Sequence, residues 1–203
     1  SMSHGVKGML TALDGGVYQL ETGLRNKDEQ RTLKAFDQIK TMSDKIKKMV
    51  LEILYYAKSR DHQFRQIRIK DFLKNVMGSI QPMAKKNKVT LELEGYFAGT
   101  MELDPSWMES ALVNFLENAI EACSFDQKKT DHHVCFTVSE ESSGMIRFVI
   151  KDNGMGMDQE TREKMFTLFF TSKGSQGTGL GMFIANRVIK QHGGSVEVTS
   201  EPD

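Results

Sequence analysis

Phe170-Thr171-Ser172-Lys173-Gly174-Ser175-Gln176-Gly177-Thr178-Gly179-Leu180-Gly181-Met182 decides the fold of this 203-residue chain. Glycines at 174, 177, 179 and 181 strip side chains from a loop that leads into an apolar helical pattern from about Leu180. A bare loop at a helix start offers main-chain N–H groups and the positive end of the helix dipole to an anion. The stretch reads as a phosphate cradle built from the backbone of Gly177, Thr178, Gly179, Leu180 and Gly181. Surface turns use the same residues for conformational reasons, so the cradle gains weight only from its company.

Two upstream segments supply that company. Asp104-Pro105 is a good cap and first-turn pair, and it opens a helix carrying Asn114 and Asn118. Four residues apart, both amides share one face, where an oxygen can meet a hard cation that keeps most of its ligands from phosphate and water. Asn118 is the expected metal ligand. The strand-like run Ile146 to Lys151 then delivers Asp152 to its end, and Gly154 and Gly156 let the chain turn. A carboxylate placed there can accept a hydrogen bond from an exocyclic amine.

In order and spacing, Asn-x-x-x-Asn, Asp-x-Gly-x-Gly, a Phe-rich segment and Gly-x-Gly-x-Gly resemble the ATP-binding domain of sensor histidine kinases, from about Lys70 to Asp203. The resemblance implies adenine recognition by Asp152 and Mg²⁺ coordination by Asn118. It also implies a mobile lid from Asp158 to Gly174, with triphosphate contacts from Gly177, Gly179 and Gly181. Lys173 stands where a lid lysine could meet a phosphate. Singly, each feature has an ordinary reading: Asn114 and Asn118 as the polar side of an amphipathic helix, Asp152 as a turn residue, Phe166, Phe169 and Phe170 as core. Jointly and in sequence they favour a nucleotide site.

Twenty-seven basic residues balance 27 acidic ones, so no global field draws the chain to nucleic acid or an anionic membrane. Cys123 and Cys135 are the only cysteines and form no Cys-x-x-Cys pair, which argues against a disulfide framework or a structural zinc site. No apolar run approaches the roughly 20 residues that span a bilayer. The expected setting is cytoplasmic, as a fragment whose parent protein could be membrane-anchored, since Ser1-Met2 looks like a cloning scar.

The architecture expected is α+β, in two parts. Over residues 1–62, Val6, Leu10, Leu13, Val17, Leu20 and Leu24 alternate steps of four and three, and the rhythm resumes at Ile39, Met42, Ile46, Met49 and Ile53. That pattern predicts an antiparallel helical hairpin with a narrow apolar seam, which two copies would bury as a four-helix bundle. A homodimer follows. Residues 63–203 predict an α/β sandwich with a mixed sheet. A helix runs from Ile69 to about Asn87, interrupted or bent at Pro82, and strands fall at Val89–Leu93, Met101–Leu103, Val134–Val138 and Met145–Lys151. A helix from Leu180 to about His192 and a strand over Ser195–Thr199 complete it. In the resembling family one more strand follows, so the sheet is expected to stop short of its last strand.

His4 falls opposite the seam centred on Val6, Leu13 and Leu20, facing solvent. A neutral imidazole keeps a lone pair with which to attack phosphorus. In the resembling family the phosphoacceptor histidine lies some fifty-odd residues before a Ser-Arg like Ser59-Arg60. Gly5 stands where that family commonly has an acidic residue, and Gly8 where it often has threonine or asparagine. The function implied is ATP-dependent autophosphorylation of His4 and transfer to an aspartate on a response-regulator receiver, with the hinge near Ser59–Gln66. Two rivals stand beside it. A GHKL-type ATP hydrolase would want a glutamate where Asn114 lies, and a nucleotide-binding dimeric scaffold of weak or no kinase activity would need no chemistry at His4.

Overall fold

The computed structural model describes residues 2–57, 63–96, 98–173 and 177–202; for residues 2–5, 48 and 51–57 it describes the backbone alone. The chain divides into two compact units, residues 1–60 with 165–181, and residues 61–164 with 182–203.

In the first unit, helices α1 (Met2–Arg25) and α2 (Glu29–Ala57) form the expected hairpin. The turn closes tightly: Lys27 takes φ 55°, and Asp28 donates its N–H to the Gly23 carbonyl at 2.8 Å. Asp28 then caps α2 by accepting from the Arg31 N–H at 3.0 Å. Within one hairpin the buried line keeps to the expected seam at Met42 and Met49 of α2 and runs beside it on α1. Met9, Gly16 and Gly23 of α1 and Ala35, Met42 and Met49 of α2 are buried, whereas Leu10, Val17 and Leu24 are 49%, 41% and 62% exposed. Glycine is the cause, because a Cβ on Gly23 would lie 2.7 Å from Thr32 Oγ1 and one on Gly16 2.9 Å from Ile39 Cγ1. Bare backbone lets the helices approach there and turns the leucine–valine stripe outward.

The second unit is built around helices α3 (Ile69–Lys86) and α4 (Pro105–Phe125) laid on sheet strands. Strand β2 (Thr90–Gly95) pairs in parallel with β4 (His133–Glu140), which pairs antiparallel with β5 (Ile146–Asp152), giving the mixed sheet expected. A separate antiparallel ribbon joins β1 (Arg65–Arg68) to β3 (Thr100–Leu103), with Ile67 opposite Met101. Ile69, Leu73, Val76 and Ile80 from α3 interlock with Leu112, Leu116 and Ile120 from α4 over Val134 and Phe136. Burying a side chain of this size removes about 1.5–3 kcal/mol of unfavourable hydration.

Three local expectations change. Helix α3 continues through Pro82 rather than breaking, carried by the buried face that runs from Ile69 to Ala84. Strand β1 takes in Arg65 and Gln66 at the end of the stretch expected as a hinge, of which residues 59–62 lie outside those described. Ser195–Thr199 joins no ladder among the described residues, since alternation alone supplies no partner for its backbone. Short helix α5 (Gln159–Lys164) and helix α6 (Gly181–Gln191) complete the order.

Candidate functional site

Helix α4 carries the first two candidate residues. Its start is fixed by Asp104, whose Oδ1 accepts from the N–H groups of Ser106 and Trp107 at 3.1 and 3.2 Å, followed by Pro105. Asn114 donates its side-chain amide to the Ser110 carbonyl, and Asn118 donates to the Asn114 carbonyl, each at 3.0 Å. These i to i−4 bonds hold both amides on one face, as the spacing implies, and the Asn118 nitrogen also meets Met182 Sδ at the head of α6.

Asp152 ends β5, opposite Val134 of β4. Its Oδ1 accepts the Gly154 N–H at 3.0 Å, an Asx turn that commits the chain to its reversal. The residue is exposed over its surface, yet neighbouring chain crowds the carboxyl, and that local crowding governs its chemistry: desolvation pushes its pKa up, while the Gly154 N–H and the Lys129 charge pull it down.

Gly154 is buried against α4. A Cβ there would collide with the Ala122 carbonyl carbon and lie 2.6 Å from the Cys123 nitrogen, and Met155 donates its N–H to the Ala122 carbonyl at 3.2 Å. Gly156 takes φ 67°, and a side chain on it would strike the Glu201 carbonyl. The turn is therefore bolted to the C-terminal end of the helix that carries the asparagines.

Asn153 was not among the candidates, yet it makes more specific contacts than any of them. Its Oδ1 accepts from the His133 N–H at 2.8 Å and from Cys123 Sγ at 3.6 Å, and its Nδ2 donates to the Asp131 carbonyl at 2.7 Å. Its own N–H donates to the His133 carbonyl at 3.3 Å, and its carbonyl accepts from Lys129 Nζ at 3.1 Å. All of these partners lie in residues 123–133, and the sequence signals none of them. Cys123, enclosed here and facing the Asp152 charge, has its thiol pKa pushed up to about 11, burial being the larger cause.

The glycine loop belongs to the first unit and is described within it. Phe169 takes φ 65° and donates its N–H to the Gly179 carbonyl at 2.9 Å, while Gly179 takes φ 66°. A Cβ on Gly179 would lie 2.7 Å from both Phe169 Cα and the Phe170 oxygen, and one on Gly177 would collide with Thr171 Oγ1. Thr178 Oγ1 accepts from the buried Leu180 at 3.4 Å, and Lys173 donates its N–H to Thr171 Oγ1 at 3.1 Å. Gly181 opens α6. Gly174 lies outside the described residues, as do Ser59 and Arg60. His4 lies within the backbone of α1, but its side chain is outside those described.

Among the described residues no group of three or more His, Cys, Asp or Glu side chains could hold a metal ion, and no helix is long and apolar enough to cross a membrane. A family profile described as histidine kinase-, DNA gyrase B-, and HSP90-like ATPase matches residues 103–203, which takes in both asparagines, the Asp152 turn and the glycine loop. Over those residues the chain belongs to that family. Its relatives include the signal transduction histidine-protein kinase AtoS of Escherichia coli, 28% identical over 203 residues that make up 99% of this chain and 32% of AtoS. The chain thus spans about a third of the length of the first curated relatives it matches. The solved Acinetobacter baumannii histidine kinase AdeS shares the fold, with a TM-score of 0.73 at 17% identity over 100% of this chain and 93% of that one. So does the histidine kinase ThkA, solved in complex with the response regulator protein TrrA, at TM-score 0.73 and 22% identity over 95% and 53% of the two chains. The fold of this chain, N-terminal helices followed by a mixed sheet, is thus that of solved histidine kinases.

Proposed function

We propose that this chain is the kinase core of a two-component sensor. It moves the γ-phosphoryl group of ATP onto an imidazole nitrogen of His4, and from there to an aspartate of a separate receiver protein. Residues 1–62 serve as the dimerising phosphotransfer hairpin and residues 63–203 bind ATP, in the cytoplasm. The observation that carries this reading is the single helix α4. Asn114 and Asn118 lie on one of its faces while the Asp152 turn is fastened to its C-terminal end through Gly154 and Met155, so one rigid element spaces both groups.

Asp152 accepts from the adenine amine, with Gly154 and Gly156 shaping the turn that presents it. Asn114 lines the phosphate side. The Asn118 amide turns its nitrogen to the helix, and its oxygen is the atom suited to a hard cation. With no acidic cluster among the described residues to hold a metal alone, Mg²⁺ would arrive on the triphosphate, and when bound it would neutralise charge on the transferring group. Gly177, Thr178, Gly179, Leu180 and Gly181 offer backbone to the phosphates, and Lys173 adds a positive charge. The apolar stripe of Leu10, Val17 and Leu24, with Phe36 and Val50 exposed on α2, supports a homodimer closed as a four-helix bundle.

Incubation with γ-labelled ATP and Mg²⁺ tests the reading. The expected result is acid-labile, base-stable label on the protein that disappears in His4→Gln. Released phosphate without labelled protein would instead favour a hydrolase, which Asn114 argues against, since it stands where the water-activating glutamate is wanted. Binding with neither product would reduce the chain to a scaffold.

A further inference from the structure

We propose that Lys129 is a positioning residue for purine choice: fastened to the Asn153 carbonyl beside Asp152, its ammonium fixes the carboxylate as a hydrogen-bond acceptor toward the 6-position of the bound base. The inference rests on the reading of Asp152 as the group that recognises the purine and extends it to which purine is taken.

The geometry starts with Asn153. Its side chain and main chain both bond to residues 123–133, so the turn after β5 moves only if the segment between α4 and β4 moves with it. Lys129 belongs to that segment. It reaches back 24 positions to donate to the Asn153 carbonyl at 3.1 Å, which sets a positive charge one residue from Asp152. Lys129 is half-buried, so its charge is less screened than that of a fully exposed lysine.

The charge state of Asp152 decides what it can recognise. An ionised carboxyl accepts only, and it suits the 6-amino group of adenine. A protonated carboxyl donates as well, and it suits the 6-oxo group of hypoxanthine or guanine. Burial favours the protonated form, whereas Lys129 and the Gly154 N–H oppose it. Of these two opposing groups Lys129 alone lies outside the motif that holds Asp152.

The other groups around the carboxyl do not take over this role. Cys123 on α4, raised to about 11, stays a neutral thiol. Asp126, which caps the end of α4, carries the wrong sign. Asp131 meets Asn153 through its backbone, as does His133, the neighbour of the Val134 that pairs with Asp152. Lys128 lies in the same segment, with its N–H donated to Asp126 Oδ1.

The test measures the affinity of the full chain for ATP and for inosine triphosphate, both with Mg²⁺, from neutral pH down to the lowest pH at which each protein stays folded, in wild type, Lys129→Met and Lys129→Arg. The ratio of the two affinities is internal to each protein, so a loss of folded material in one variant cancels. Wild type is expected to favour ATP, with the preference falling as pH drops. In Lys129→Met that fall should shift to higher pH, and Lys129→Arg should restore the wild-type profile. Superimposed profiles for wild type and Lys129→Met would overturn the inference while leaving the nucleotide site standing. Failure of wild type to bind either nucleotide would instead bring down the site reading, and this inference with it.

Discussion

Gly154→Ala is the sharpest perturbation of the junction between β5 and α4. Gly154 does not use a positive φ, so alanine suits its backbone and the outcome is purely a matter of space. The added methyl would lie 2.6 Å from the Cys123 nitrogen and 2.7 Å from the Ala122 oxygen, and both are helix backbone that no rotamer change can move. It must retreat by about 1 Å from the Ala122 carbonyl carbon, the nearest atom, to reach the 3.4 Å where ordinary contact begins. That retreat pulls the Met155 N–H away from the Ala122 carbonyl, already 3.2 Å distant, and drags the Asp152 turn outward. Overpacking costs about 1–3 kcal/mol and the hydrogen bond about 1 kcal/mol more. The sum predicts a thermal midpoint lower by roughly 10 °C for a unit of this size. ATP affinity should drop about 10-fold or more as Asp152 leaves its place. Gly78→Ala is the control: Gly78 is exposed in α3 with no heavy atom within 4 Å of its would-be Cβ, so it should stabilise by about 1 kcal/mol. Calorimetric melting and titration with Mg-ATP read both variants. If Gly154→Ala melted and bound ATP as wild type does, the close-packing account of this turn would be refuted.

Asp152→Asn should raise the melting temperature of the nucleotide-free protein while weakening ATP binding about 10–100-fold. Burial lifts the folded-state pKa above its unfolded value, so the residue's contribution is favourable below the unfolded pKa and is lost as pH rises through the folded one. At neutral pH the ionised carboxyl is therefore a cost that asparagine removes, and a lowered midpoint in the variant would contradict this. Maleimide labelling near pH 8 followed by mass spectrometry should modify half-buried Cys135 well before Cys123, whose buried thiol, raised to about 11, should react only with denaturant present. Val17→Glu should convert a dimer to monomer by light scattering, whereas a strict monomer in wild type would remove the bundle. In the hairpin, Gly23→Ala should destabilise by about 1–3 kcal/mol against Thr32, while Gly15→Ala, with nothing near, should stabilise by about 1 kcal/mol.

The sequence was most legible where one short-range rule acted alone. Asp104-Pro105 marked the start of α4 because a cap is a local hydrogen bond, and Asn114 and Asn118 share a face because helical spacing requires it. The alternation of β4, which has a buried side, and the apolar run of β5, whose Ile146, Phe148, Val149 and Ile150 are half-buried, likewise showed themselves. The line along which α1 closes on α2 was not legible, because Gly16 and Gly23 count for nothing in an apolar pattern, although bare backbone is what lets two helices close. Strand β1 was missed because Arg65-Gln66-Ile67-Arg68 offers a single apolar residue, and its pairing with β3 lies more than 30 positions away. Asn153 was passed over for a related reason: a polar residue in a turn looks generic until residues 123–133 are folded around it.

The glycine loop poses a harder question, because its glycines are required twice over. Gly177 lies against Thr171 and Gly179 against Phe169, so replacing either would disturb the loop even if no phosphate ever approached it. Loss of ATP binding in Gly177→Ala therefore proves nothing by itself. Thr171→Ala combined with Gly177→Ala separates the two demands, because it removes the Oγ1 that the new methyl would strike and leaves only the Thr171 Cβ position, 3.0 Å away. The cost is the 3.1 Å bond from the Lys173 N–H, about 1 kcal/mol. If the phosphates need bare backbone at position 177, the double variant recovers its melting temperature but not its affinity for ATP, and adenosine binds as in wild type throughout. Recovery of ATP affinity together with stability would make Gly177 a packing glycine, and would leave phosphate recognition to Gly179, Gly181 and Lys173.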